Sequence, residues 1–155
     1  VNMSADDYDF DSLAHKSREE LPDERPTPPG HWRLQVVKGE IRDTADRGTN
    51  APIMEGVFTS RLVEPTDDVN ADLLDGYEYK GEVVSYRIPV FRPKEVHNIR
   101  RFAEMLGVDT SKGGAVDWAA GTKGGTYIAE VVHRTNKDDP ERPYVDVKRA
   151  QKDEG

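Results

Sequence analysis

At 155 residues the chain is long enough for one domain and a tail, and with 35% hydrophobic against 34% charged residues its core is modest. A net charge of −8 argues against a surface that attracts nucleic acid everywhere and leaves room for a local basic groove, because fields focus in clefts and are screened over roughly 8–10 Å in physiological salt. The absence of cysteine removes disulfides, cysteine–zinc sites and thiol catalysis, and no run approaches the ~20 apolar residues of a membrane helix, so a soluble cytoplasmic protein with no membrane partner is expected.

Residues 1–29 read as an acidic, proline-rich arm, extended or disordered. Asp6, Asp7, Asp9, Asp11, Glu19, Glu20, Asp23 and Glu24 stand against Lys16, Arg18 and Arg25. The closing "PDERPTPPG" holds prolines that neither a helix interior nor a central strand accepts. Within the arm, "DDYDFDSL" sets Tyr8, Phe10 and Leu13 in an acidic run. That is the composition of a short partner-binding motif, or of a solvated arm with incidental rings.

From Gly30 the pattern becomes that of strands. Trp32, Leu34 and Val36 alternate with Arg33 and Gln35, and then the phase shifts to Val37, Gly39 and Ile41, which predicts a bulge or bend near Gly39. Residues 43–52 read as a loop and 53–64 as a second strand containing Gly56. An acidic connection follows over 64–82, with a helical turn expected at "NADLL". "GEVVSYRIPVF" (81–91) is a third strand, with Val84, Tyr86, Ile88 and Val90 on one face and Arg87 and Phe91 on the other. Pro93 opens a helix whose apolar face is Val96, Ile99, Phe102, Ala103 and Leu106, and Gly107 stops it. Its Arg100 and Arg101 are expected to be solvated. A glycine-rich connection with a turn around Trp118 leads to a fourth strand over 126–135. Its two parity sets, Ile128/Glu130/Val132/Arg134 and Tyr127/Ala129/Val131/His133, leave the inward face open. "YVDVKRA" (144–150) is a fifth strand, and 151–155 a short polar tail.

The order β-β-β-α-β-β is that of a mainly β fold, a five-stranded OB-type Greek-key barrel over 30–150 with one helix between strands 3 and 4; an open sheet or another small barrel shares the order. Nothing points to an enzyme. His15, His31, His97 and His133 have no metal-ligand spacing, no acid is grouped with a base, and "GTKGG" lacks the phosphate-loop pattern, so neither metal nor cofactor is expected.

The chemistry that remains is rings beside cations on strands. Single-stranded nucleic acid is held by cations that track phosphates and by rings that stack on bases, at about 1–3 kcal/mol per base. The stretch 86–101 carries Arg87, Arg92, Lys94, Arg100 and Arg101 against Glu95 alone. The candidate contact residues are Trp32, Tyr77, Tyr79, Phe91, Tyr127 and Tyr144 as rings, with Arg33, Arg61, Arg87, Arg92, Lys123, Arg134, Lys137 and Lys148 as cations.

From about residue 28 to 150 the chain resembles the OB-fold single-stranded DNA-binding proteins of tailed bacteriophages, a group formerly catalogued as a domain of unknown function. The likeness lies in the order and spacing of "PPGHWRLQVVKGEIRDT", "EGVFTSRLVE", "DGYEYKGEVVSYRI", "NIRRFAEMLGV" and "AAGTKGGTYIAEVV". It implies sequence-independent coating of single-stranded DNA in phage replication or recombination within the infected cell, with a homo-oligomer or a cooperative filament on DNA as options. Two features depart from the pattern. The acidic stretch 64–75 is longer than the pattern needs, and "AQKDEG" is short and has no aromatic end. The acidic arm is then the candidate to recruit replication or recombination proteins, or to cover the groove. The alternative is an OB-fold module for protein–protein contact, such as a virion accessory domain, that does not bind DNA.

Overall fold

A computed structural model of the protein describes residues 10–17 and 24–154. Tyr8 lies outside them, and of Phe10 and Leu13 only the backbone is described, in a single helical turn, α1 (Phe10–Ala14). Five strands follow: β1 (Gly30–Ala45), β2 (Pro52–Pro65), β3 (Val83–Val90), β4 (Thr126–Arg134) and β5 (Tyr144–Lys152). They close a barrel in the order β1-β2-β3-β5-β4, antiparallel except for the β3–β5 seam, which meets in parallel through one residue pair, Tyr86 and Val147. A short α2 (Ala71–Leu74) lies in the acidic connection, while α3 (Val96–Met105) and α4 (Ala115–Gly121) separate β3 from β4. This is the OB-type barrel, with its helix between strands 3 and 4. No helix among the described residues is long and apolar enough to cross a membrane.

β1 and β2 run longer than their sequence patterns suggest. β1 pairs with β4 only through Gly30–Gln35 but with β2 out to Ala45–Pro52, so the distal hairpin projects beyond the closed barrel. The phase shift of β1 falls between Val36 and Lys38, where Val37 is an extra residue opposite Ser60 and Thr59. The bulge therefore precedes Gly39 by two positions. Gly39 serves a different purpose: a Cβ there would stand 2.1 Å from the carbonyl oxygen of Ala119, so its missing side chain lets α4 lie against β1. Gly56 likewise leaves room for Ile99 of α3, whose atoms would be 3.3 Å from a Cβ.

Closing a sheet leaves two ends to fill. At one, Phe102 of α3 is buried against Phe58, Tyr86 and Tyr127, with ring centroids 4.6–5.1 Å apart. Beneath it the Tyr127 hydroxyl meets Ser60 Oγ at 2.7 Å, and burial pushes the phenol's pKa well above its ordinary range. At the other end Trp32 is fully buried beside Tyr77, Tyr79 and Val69. Its indole N–H donates to the carbonyl of Pro28 at 2.8 Å. The last residues before β1 therefore belong to the barrel. Thr27 and Pro28 are buried, Thr27 Oγ1 lies 3.2 Å from the Tyr77 hydroxyl, and His133 Nε2–H donates to the Thr27 carbonyl at 2.7 Å.

The acidic connection is pinned to the start of β1. Asp68 accepts from the His31 backbone N–H (2.8 Å) and faces its ring Nδ1 (2.6 Å), while Thr66 donates to the His31 carbonyl through both its backbone N–H and its hydroxyl. The His31 ring, the His31 backbone N–H and Thr66 hold the Asp68 carboxyl below its usual range. A carboxyl whose pKa is lowered by folding stabilises the fold above its unfolded value and loses that effect as acid protonates it. Asp68→Asn should lower Tm by about 2–5 °C at pH 7, and the gap between the two melting curves should shrink progressively as pH falls below the ordinary aspartate value of about 3.9; a gap that does not shrink in acid rules out this origin. Gly39→Ala should cost about 1–3 kcal/mol by forcing α4 off β1, whereas Gly48→Ala in the open hairpin loop should be near neutral in the same melts.

Candidate nucleic-acid interface

A strand has period two, so the bulge at Val37 decides which side chains of β1 face outward. Before it, Trp32, Leu34 and Val36 point into the barrel; after it, Lys38, Glu40 and Arg42 point out. On the outer face of β2 lie Glu55, Thr59 and Arg61 together with Val57, itself fully buried, and on that of β3 lie Val83, Ser85, Arg87 and Pro89. Register then fixes four rows across the wall: Gln35–Arg61–Val83, Lys38–Thr59–Ser85, Glu40–Val57–Arg87 and Arg42–Glu55–Pro89. Adjacent strands are about 4.8 Å apart and the rows about 6.6 Å apart, so this is a lattice on the scale of a polynucleotide backbone.

The wall carries four cations over two carboxylates, and the carboxylates are recessed. The side chains of Lys38, Arg42 and Arg87 are 67%, 52% and 52% exposed, against 24% for Glu40 and 14% for Glu55. Glu40 bridges Lys38 (3.1 Å) and Arg42, and Glu55 holds Arg87 at 2.7 Å. Hydrogen bonding from Lys38, reinforced by Arg42, keeps Glu40 ionised below the usual carboxylate range. The recessed anions thus fix where the cations stand, and the cations face the solvent. Arg61 is placed by Gln35, whose side-chain oxygen accepts from it at 2.7 Å and whose amide donates to the Gly124 carbonyl at 3.0 Å. Exposed Lys123 precedes Gly124 and extends the basic strip past Arg61. At the other end Phe91, 56% exposed, lines a shallow hollow with Asp43, Ile53 and Met54 and with exposed Arg92. The backbone N–H groups of Phe91 and Arg92 both donate to Glu95, which fixes the turn out of β3.

The candidate residues therefore separate. Arg61, Arg87, Phe91, Arg92 and Lys123 border one wall. Lys148 faces the same side beyond β3, where it and Arg87 line a hollow of about 670 Å3 between β3 and β5 that residues 24–27 close. Arg134 and Tyr144 lie on the outer face of β4–β5; the guanidinium covers the ring at 4.5 Å and bonds Asp146 at 2.9 Å. Lys137 is exposed in the β4–β5 loop. Four assignments are corrected. Trp32 and Tyr127 are fully buried and Tyr77 nearly so, because the two barrel ends need large rings more than the surface does. Arg33 is 23% exposed and held by both Glu64 and Asp153, which leaves it no face for a phosphate. Tyr79 is half-buried against Trp32. Two cations of the wall, Lys38 and Arg42, escaped the sequence reading. Their signal is the Lys-x-Glu-x-Arg spacing immediately after the phase shift.

No protein-family model matches the chain, and a search of curated proteins finds no similar sequence. Trp32→Ala and Tyr127→Ala should each lose about 3–5 kcal/mol of stability, whereas Phe91→Ala should leave Tm within about 1–2 °C of the parent; a large drop for Phe91→Ala would return that ring to the core.

Proposed function

We propose that the protein binds single-stranded DNA without sequence preference, along the outer wall of β1–β2–β3. The observation that carries this reading is the set Lys38, Arg42, Arg61 and Arg87, presented on one wall of a chain of net charge −8 with exposed Phe91 at its edge. The sheet face of strands 2 and 3 is where OB barrels commonly take oligonucleotides. Each cation meets a phosphate and releases its counterion, and Phe91 supplies a stacking platform that any base fits. The resemblance to phage single-stranded DNA-binding proteins supports a role in phage DNA replication or recombination, with the acidic arm as the element that recruits replication or recombination proteins.

The second reading, a protein–protein module, is favoured by the density of ion pairs. Arg33, Arg87, Arg134, Arg142 and Arg149 all face carboxylates, so much of the positive charge is already balanced within the fold. Salt separates the two readings. Four phosphate contacts on a single strand predict a log–log slope near −2.8, or roughly a 50-fold loss of affinity for oligo-dT between 50 and 200 mM salt. The double variant Arg42→Gln/Arg87→Gln should shrink that slope by about 1.4, and Phe91→Ala should weaken binding roughly 5- to 100-fold with the slope intact. Fluorescence anisotropy measures both; no binding by the folded protein at 50 mM salt would decide for the protein–protein module.

A further inference from the structure

A second hollow, about 400 Å3, opens beside the wall between β3, α3 and β5. It exists because β3 and β5 touch through the single pair Tyr86–Val147, while α3 packs against both strands. Its lining is largely apolar, with Phe102, Met105 and Ala150 around the ring of Tyr86, and among the described residues the charged ones that line it are Arg87 and Arg101. The larger hollow on the other side of the seam differs: there Arg25, Arg87 and Lys148 are matched by Glu24, Glu82 and Asp146. The smaller hollow is therefore the one whose charge suits an anionic ligand with an apolar part.

Two polar groups narrow the class of ligand. Tyr86 is half-buried with its ring 5.0 Å from Phe102, and its hydroxyl, which makes no hydrogen bond within the described residues, is open to solvent and can bond a ligand in the hollow. Asn98 accepts from Arg101 at 3.0 Å through Oδ1, which leaves its amide N–H groups as donors at the rim. A flat aromatic body with acceptors on its edge and a phosphate on each side meets all of these groups, and every nucleobase carries such an acceptor.

We propose that this hollow takes one nucleobase of a bound single strand, turned out of line with its neighbours, with Arg87 and Arg101 on the flanking phosphates and Asn98 on the base edge. The inference rests on the single-strand reading above, and Arg87, which belongs to both the wall and the hollow, makes the path continuous. Ala150→Leu fills the hollow from β5 without removing a charge. It should raise Kd for oligo-dT about 5- to 50-fold at fixed low salt, leave the salt slope unchanged, and abolish the photocross-link that an oligo-dT carrying 5-iodo-deoxyuridine makes to Tyr86, Phe102 or Met105 in the parent. If Ala150→Leu lowers Tm sharply, Asn98→Ala on the exposed face of α3 decides, with an expected 2- to 10-fold loss. Parent-like affinity in the variant that folds, or a cross-link confined to the wall, overturns the base pocket while the wall variants still test the wider reading. Failure of the parent itself to bind oligo-dT overturns both.

Discussion

Between Val36 and Lys38, β1 carries one residue that β2 does not match. Side chains on a strand alternate with period two, so a single unmatched residue moves every later side chain to the other face. Without the bulge, with Val37 paired in its own place, the alternation that buries Trp32, Leu34 and Val36 would turn Lys38 and Arg42 toward the core side. With it, β1 is a core strand for its first half and a charged surface strand for its second. The core and the candidate interface are thus two consequences of one irregularity, and neither changes without the other.

The rest of the fold answers the geometry of closure. A five-stranded barrel is too small to hold a cavity, and its open ends are apolar, so both are plugged by rings. α3 supplies Phe102 to one end. The other is filled from β1 itself by Trp32 and sealed by the residues just before the barrel and by the acidic connection, through Pro28, Thr27, Tyr77 and the Asp68–His31 pair. The acidic connection is thereby held at the end where β1 begins, away from the hairpin that carries Lys38 and Arg42. That separation of charge lets a protein of strongly negative net charge present a local positive face.

On that face the recessed carboxylates act as anchors. Exposed ion pairs contribute little to stability, since solvent and salt screen them and ordering long side chains costs entropy. Glu40 and Glu55 are less exposed than their partners, so they restrict the cations more than they neutralise them toward solvent. A guanidinium held in place loses less freedom on meeting a phosphate, and bound anions beneath it moderate the field, which favours binding that is reversible and sensitive to salt.

Much of this was legible in the chain. The alternation in β1 and β3, the proline-led helix and the order of elements are set by local sterics and hydrophobic period, which a sequence carries directly; they gave the barrel, the inward face of β3 and the outward positions of Arg87 and Phe91. The fate of each ring was decided elsewhere. Trp32, Tyr77 and Tyr127 look like Phe91 in a list of aromatics, and only closure of the sheet determines that the first three fill its ends while the fourth falls beyond the last pair of β3. Likewise Lys38 and Arg42 join Arg87 only through register, which pairs residues far apart in sequence and shifts by whole side chains when one residue is unmatched. Local periodicity fixed what the elements are, and long-range pairing fixed which residues meet on one wall.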